Sequence, residues 1–107
     1  MTNITFLKKN DLIIGFEVKG HTGKANHGED LLCAQISTVA QLAIVAIDQV
    51  AKMQNFHEIS DGYLKITVNE KDAKQENIQF LFKTCKQSFK SIIIDEEKFA
   101  KLEVKNV

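Results

Sequence analysis

The chain has 107 residues, of which 44% are hydrophobic, and its 14 basic and 14 acidic residues give a formal net charge of zero. This length predicts one domain, residues 1–107, with a single core. All basic residues are lysines, and the lack of a basic surplus and of arginine argues against direct nucleic-acid binding.

The N-terminal part predicts a β-hairpin followed by a polar loop. Residues 2–9 alternate apolar and polar side chains, which is typical of a strand, and residues 12–19 (LIIGFEVK) predict a second strand. Asn10-Asp11 between them favours a turn. Residues 20–30 hold three of the five glycines and two of the three histidines without apolar periodicity. This loop is longer than the usual connection of about 4–6 residues, and such loops are often functional or mobile.

The segment from Leu31 to about Met53 predicts the longest helix. Its apolar residues lie nearly all round the helix, so we expect burial on most faces, with a dimer seam as a further possibility. Asp30 is the expected N-cap residue. Polar side chains interrupt the apolar run and the N-terminus lacks the apolar stretch of a secretory signal, so we expect no membrane span and a cytoplasmic location.

The second half predicts another hairpin, a helix and a final strand. Residues 56–60 and 63–70 alternate as strands around Asp61-Gly62, a strong hairpin-turn signal. Residues 72–92 have helical apolar spacing, and residues 99–107 alternate again. The order β-β-α-β-β-α-β predicts an α/β (α+β) two-layer sandwich with two helices on one face of a mixed sheet.

Cys33 follows the expected N-cap by three residues, at the start of the long helix. A helix N-terminus offers free backbone N–H groups and partial positive charge, which stabilise a thiolate and could hold an oxyanion. A cysteine near a helix start is, however, more often a small buried hydrophobe. Cys85 lies on the core stripe of the second helix and is expected to be inert, and no disulfide is expected in a cytosolic chain.

A thiol nucleophile needs a proton acceptor, and two histidines compete for that role. An imidazole can exchange a proton near neutral pH. His21 directly follows a strand and is expected to be better fixed than His27, which lies within the loop. Asp30 could orient the imidazole, although its capping role competes, and Ser37 lies one helical turn after Cys33 and could hydrogen-bond into the site.

Two other ligand classes fit the loop less well. Its histidines and carboxylates match no zinc-ligand spacing, so no metal is expected. Gly20-x-x-Gly23 followed by Gly28 lies before a helix, as in phosphate-binding loops, but the Lys-Ser/Thr pair of such loops is absent. No cofactor is expected either.

The string Gly20-His21, then Gly28-x-Asp30-x-x-Cys33-Ala34-x-x-Ser37, resembles the ribosomal-processing cysteine protease family, Prp. The resemblance extends over essentially the whole chain in length and element order. It departs from many relatives at Thr22, where alanine is common, and at Leu31-Leu32, where Ile-Val is common.

The resemblance implies roles for the motif residues. Cys33 would be the nucleophile and His21 the general base and acid, while Asp30 and Ser37 would be supporting residues. The glycines of the loop would give it the freedom to close over a substrate; they are Gly20, Gly23 and Gly28.

The resemblance also implies a substrate and an assembly. Family members remove a short N-terminal extension from a large-subunit ribosomal protein, which is a step of ribosome maturation, and they form homodimers. The alternative is a non-catalytic ribosome-associated binding domain with the same fold. A thiol transferase would need a resolving cysteine nearby, and the sequence does not place Cys85 close to Cys33.

Overall fold

The computed structural model describes residues 1–107 as five strands, three α-helices and one π-helical segment. The strands are β1 (Thr2–Lys9), β2 (Leu12–Lys19), β3 (Phe56–Ser60), β4 (Tyr63–Thr67) and β5 (Ala100–Asn106). The helices are α1 (Leu31–Ile44), which continues as the π-helical segment Val45–Val50, then α2 (Glu70–Ala73) and α3 (Glu76–Ile92).

The five strands form one mixed sheet in the order β3-β4-β2-β1-β5. The pairs β1–β2, β2–β4 and β3–β4 are antiparallel, whereas β1 and β5 are parallel. A parallel pair requires a crossover connection, and here the chain between β1 and β5 includes all the helices. The predicted α+β class, with a mixed sheet and this element order, is confirmed.

One face of the sheet carries the core, and the other is polar. Phe6 and Phe16 point from β1 and β2 into a cluster with Phe82 and Phe89 of α3, and the ring centroids of Phe16 and Phe89 are 5.4 Å apart in an edge-to-face arrangement. Full burial of each such side chain contributes roughly 1.5–3 kcal/mol. The opposite face of the sheet presents Thr5, Glu17, Lys65 and Lys101, among others, so the helices cover one face only.

The long helix is less buried than its apolar pattern predicted. Leu31, Leu42 and Val50 are 78%, 60% and 77% exposed, so the expectation of burial on most faces is wrong for the single chain. A helix laid on one sheet face buries one stripe, and solvent reaches the rest. That stripe comprises Leu32, Ile36, Ala40, Ala43 and Ile44. The helix Leu31–Val50 is long and apolar enough to cross a membrane, but the core helices of soluble proteins meet the same two criteria.

The predicted helix over residues 72–92 is interrupted near its start, so the second helical region consists of the short α2 and the long α3. The Asn69 side chain accepts a hydrogen bond of 2.8 Å from the Asp72 N–H and starts α2 early, which also shortens the predicted strand β4. Gln75 is then extended, so α3 begins at Glu76. The Gln79 side-chain amide donates to the Ala73 carbonyl and to the Ile13 carbonyl of β2, which holds this break against that strand.

Candidate active site

A cleft of about 820 Å³ lies between the loop 20–30, the start of α1 and the β3–β4 hairpin. This volume is in the range of sites that bind organic ligands. The cleft brings together all the residues predicted for the site from the sequence, which are Gly20, His21, Gly23, Gly28, Asp30, Cys33 and Ser37. His27, the competing imidazole, also lines it.

Gly20 anchors the residue that follows it, His21. Its N–H donates to the Gly62 carbonyl (2.8 Å), and its own carbonyl accepts from the Thr2 hydroxyl (3.1 Å). Its φ is +95°, and a Cβ there would lie 2.4 Å from the Met1 carbonyl oxygen. Both the backbone conformation and the space require glycine, so His21 is held at a fixed place at the end of β2.

Two of the three positive-φ glycines in the loop, Gly20 and Gly23, should differ in the stability lost when each is replaced by alanine. Gly23 has φ +73° but nothing within 4 Å of an added Cβ, so Gly23→Ala should cost only the left-handed strain of about 1–2 kcal/mol. Gly20→Ala adds a backbone clash, and we expect a loss of roughly 3 kcal/mol or more in the free energy of unfolding. Urea denaturation of both variants measures the difference. Equal costs would contradict the anchoring role of Gly20.

The tip of the β3–β4 hairpin lies against the His21 imidazole. His21 Nε2 is 3.5 Å from Asp61 Oδ1, which is ion-pair distance when the ring is protonated. A Cβ on Gly62 would approach Nε2 to 3.0 Å, so the missing side chain leaves room for the ring. Asp61 was predicted only as a turn residue. No local sequence signal places Asp61 beside His21, because the two meet only through the pairing of Lys19 with Tyr63 between β2 and β4.

Asp30 organises the loop and the helix start. Its Oδ1 accepts from the Cys33 N–H at 2.9 Å, which confirms the predicted N-cap. Its Oδ2 accepts from the Thr22 hydroxyl and from the backbone N–H groups of Lys24 (3.1 Å) and Ala25 (3.3 Å). The Thr22 hydrogen bond is the largest influence on this carboxyl and holds its pKa below the ordinary value of 3.8. None of these bonds goes to an imidazole, so Asp30 acts here on the loop and not as the group that orients His21.

Two residues that sequence reasoning passed over hold the loop from either side. Thr22, noted only as a departure from the family pattern, is 2% exposed, and its hydroxyl reaches Asp30. Lys24 on the outer side pairs with Glu96 and lies 5.7 Å above the Phe99 ring. The loop is thereby attached to both α1 and the connection before β5.

Cys33 is a free, partly exposed thiol in the first turn of α1. Its own N–H is already bonded to Asp30, which removes that group from the helix-start donors expected to hold an oxyanion. Ser37, one turn further on, accepts a hydrogen bond from Gln41 (2.8 Å), so its hydroxyl proton stays available to the cleft. Cys85 is buried, and burial raises the pKa of its thiol to about 11, in keeping with an inert core residue.

The two histidines are neighbours in the cleft. The ring centroids of His21 and His27 are 5.6 Å apart, and the rings are nearly perpendicular. With Asp61 they also form a group of side chains that could ligate a metal ion. The anchoring by Gly20 and the contact with Asp61 distinguish His21 from His27.

A thiol at a capped helix start and an imidazole at a strand end, facing one cleft of an α+β domain, are the components of a cysteine hydrolase site. The family model described as cysteine protease Prp matches residues 1–101. The chain therefore belongs to the cysteine protease Prp family and is a cysteine peptidase, which confirms the resemblance seen in its motif.

Solved structures share the fold over nearly the whole chain. SMU.848 from Streptococcus mutans is 22% identical with a TM-score of 0.81, and the match covers 100% of this chain and 96% of that one. The essential ribosomal processing protease Prp from S. aureus, in complex with a covalently linked product peptide, is 18% identical with a TM-score of 0.85, over 98% and 100% of the two chains. The same protease with a substrate peptide gives 17% and 0.80, with equal coverage. No curated protein matches the sequence significantly.

Proposed function

We propose that this peptidase removes a short N-terminal extension from a large-subunit ribosomal protein in the cytoplasm, with Cys33 as the nucleophile and His21 as its proton carrier. The observation that carries the proposal is the shared cleft, in which the capped helix start of Cys33 and the anchored His21 face the same space in a member of a cysteine protease family. The fold neighbour from S. aureus is described as a ribosomal processing protease, which supports the substrate class.

The reaction follows from the groups in the cleft. The Cys33 thiolate attacks the scissile carbonyl carbon, and protonated His21 gives its proton to the leaving amine as the C–N bond breaks. The acyl part of the substrate is left as a thioester on Cys33. Water activated by His21 then hydrolyses this thioester and frees the thiol. Asp61 Oδ1, 3.5 Å from His21 Nε2, can hold the ring in place, and the Ser37 hydroxyl is available to donate to the oxyanion.

The assembly we propose is the homodimer implied by the resemblance. The π-extended end of α1 leaves Leu42, Val45 and Val50 exposed, an apolar stripe that a second copy would cover.

No cofactor takes part in the proposed reaction, since the thiol and the imidazole supply both the nucleophile and the proton transfer.

The test is a cleavage assay on a ribosomal protein precursor that carries its N-terminal extension. We expect mass spectrometry to show one cut at the junction of the extension, with the remainder of the protein intact. The matched control is the same ribosomal protein without its extension, which should stay whole. No cleavage, or cuts scattered along the precursor, would contradict the proposed substrate class.

A further inference from the structure

Three side chains from separate parts of the chain converge at the mouth of the cleft. His21 follows Gly20 just past the end of β2, His27 lies further along the same loop, and Asp61 lies in the β3–β4 turn. One ligating atom from each lies within 4.8 Å of the other two. From the sequence no metal was expected, because the histidines and carboxylates of the loop match no zinc-ligand spacing, and Asp61 is remote from them along the chain.

The geometry of this cluster is close to that of a metal site. The separation of His21 Nε2 and Asp61 Oδ1 is 3.5 Å. In a tetrahedral zinc site, bonds of about 2.0–2.1 Å place neighbouring ligand atoms roughly 3.3–3.4 Å apart. The histidine rings are at 88° to each other, so they do not stack and their nitrogens can turn toward a common point. All three residues are exposed, so rotamer changes can bring ligating atoms that lie within 4.8 Å of one another to the separation of roughly 3.3–3.4 Å that zinc requires.

We propose that His21, His27 and Asp61 bind a divalent transition-metal ion, best Zn²⁺, and that the ion inhibits the peptidase by occupying His21 Nε2. Two imidazoles and one carboxylate are a zinc ligand set that leaves the fourth position to water. A ring bound to the ion through Nε2 cannot become the doubly protonated imidazolium that gives its proton to the leaving amine. The metal binding stands on the cluster alone, whereas the inhibition rests on the proposed function of His21.

Binding is tested by calorimetric titration of Zn²⁺ into the Cys33→Ala protein, which removes the thiol as a rival ligand. We expect one ion per chain. The double variants that add His27→Ala or Asp61→Asn should bind Zn²⁺ at least about tenfold more weakly, because losing a direct ligand should cost at least as much affinity as losing a residue that only hydrogen-bonds to a ligand. The control variant adds His57→Ala, because His57 on β3 contacts Asn55 and is outside the cluster. Unchanged affinity on loss of His27, or no binding without Cys33, would overturn the site.

Inhibition is tested by peptidase rates in rising Zn²⁺, each variant being compared with its own metal-free rate. We expect reversible inhibition of the wild-type chain that EDTA relieves, and a shift of at least about tenfold to higher Zn²⁺ in His27→Ala. Equal zinc sensitivity of the wild-type and His27→Ala chains would refute inhibition through this cluster. If the chain cleaves no peptide at all, the calorimetric titration still decides the metal site, so the two proposals fail separately.

Discussion

Cys33→Ala is expected to abolish peptide cleavage, and Cys33→Ser to lower kcat by at least about a thousandfold. The covalent step requires a thiolate, and neither a methyl group nor an unactivated hydroxyl supplies an equivalent nucleophile. The measurement is steady-state turnover of an extension-derived peptide, with folding checked by circular dichroism.

Cys85→Ala is the matched control for this loss. The Cys85 thiol is buried in the core, and its raised pKa of about 11 keeps it protonated at neutral pH. We expect turnover close to that of the wild-type chain, together with a modest loss of stability from the small cavity. Retained activity in Cys33→Ala, or its loss only in Cys85→Ala, would show that the nucleophile is misassigned.

His21→Ala is expected to lower kcat/KM by roughly 10²–10⁴-fold, the usual range for removal of a general acid–base. His27→Ala should retain most of the activity. The two imidazoles are close neighbours, but only His21 follows an anchoring glycine and contacts Asp61. The measurement is kcat/KM across pH, because loss of the proton carrier should also remove its limb of the profile. If the large loss falls on His27→Ala instead, His27 is the base.

Local sequence patterns predicted the hairpin and the motif well, for a physical reason. Alternation in β1 turns Ile4 and Phe6 toward the core, and both strands were predicted with the bounds that the structure gives them, although a register shift at Leu7/Lys8 interrupts their pairing. The N-cap at Asp30 is equally local, since its partner Cys33 is three residues away. Features that depend on neighbours along the chain can be inferred from one sequence.

Features that depend on long-range packing could not be inferred in the same way. No pattern in β2 or β4 states that they are neighbours, and that pairing is what brings Asp61 and Gly62 to His21. The break before α3 depends on Gln79, whose side chain also bonds both backbone groups of Ile13 on β2. The predicted burial of the long helix failed likewise, because an apolar pattern does not reveal how many of its faces find a partner.

The motif aspartate, Asp30, supports the loop and the helix start and not the imidazole. From the sequence, Asp30 could cap the helix or orient an imidazole. In the structure its two carboxylate oxygens accept hydrogen bonds from the Cys33 N–H, the Thr22 hydroxyl and two backbone N–H groups of the loop. Its ionised carboxylate thus couples the position of the nucleophile to the shape of the loop, and Asp61 is the carboxylate next to His21.

The central claim is that Cys33 and His21 act as one reacting pair, and thiol alkylation tests it most directly. Iodoacetamide would be added at about pH 6, where an unassisted thiol reacts slowly, and modified peptides would be mapped by mass spectrometry. We expect Cys33 to react faster than in the urea-unfolded chain, with activity lost in parallel, and to slow in His21→Ala. Cys33 labelling no faster than in the unfolded chain, or activity that survives its complete modification, would contradict the account.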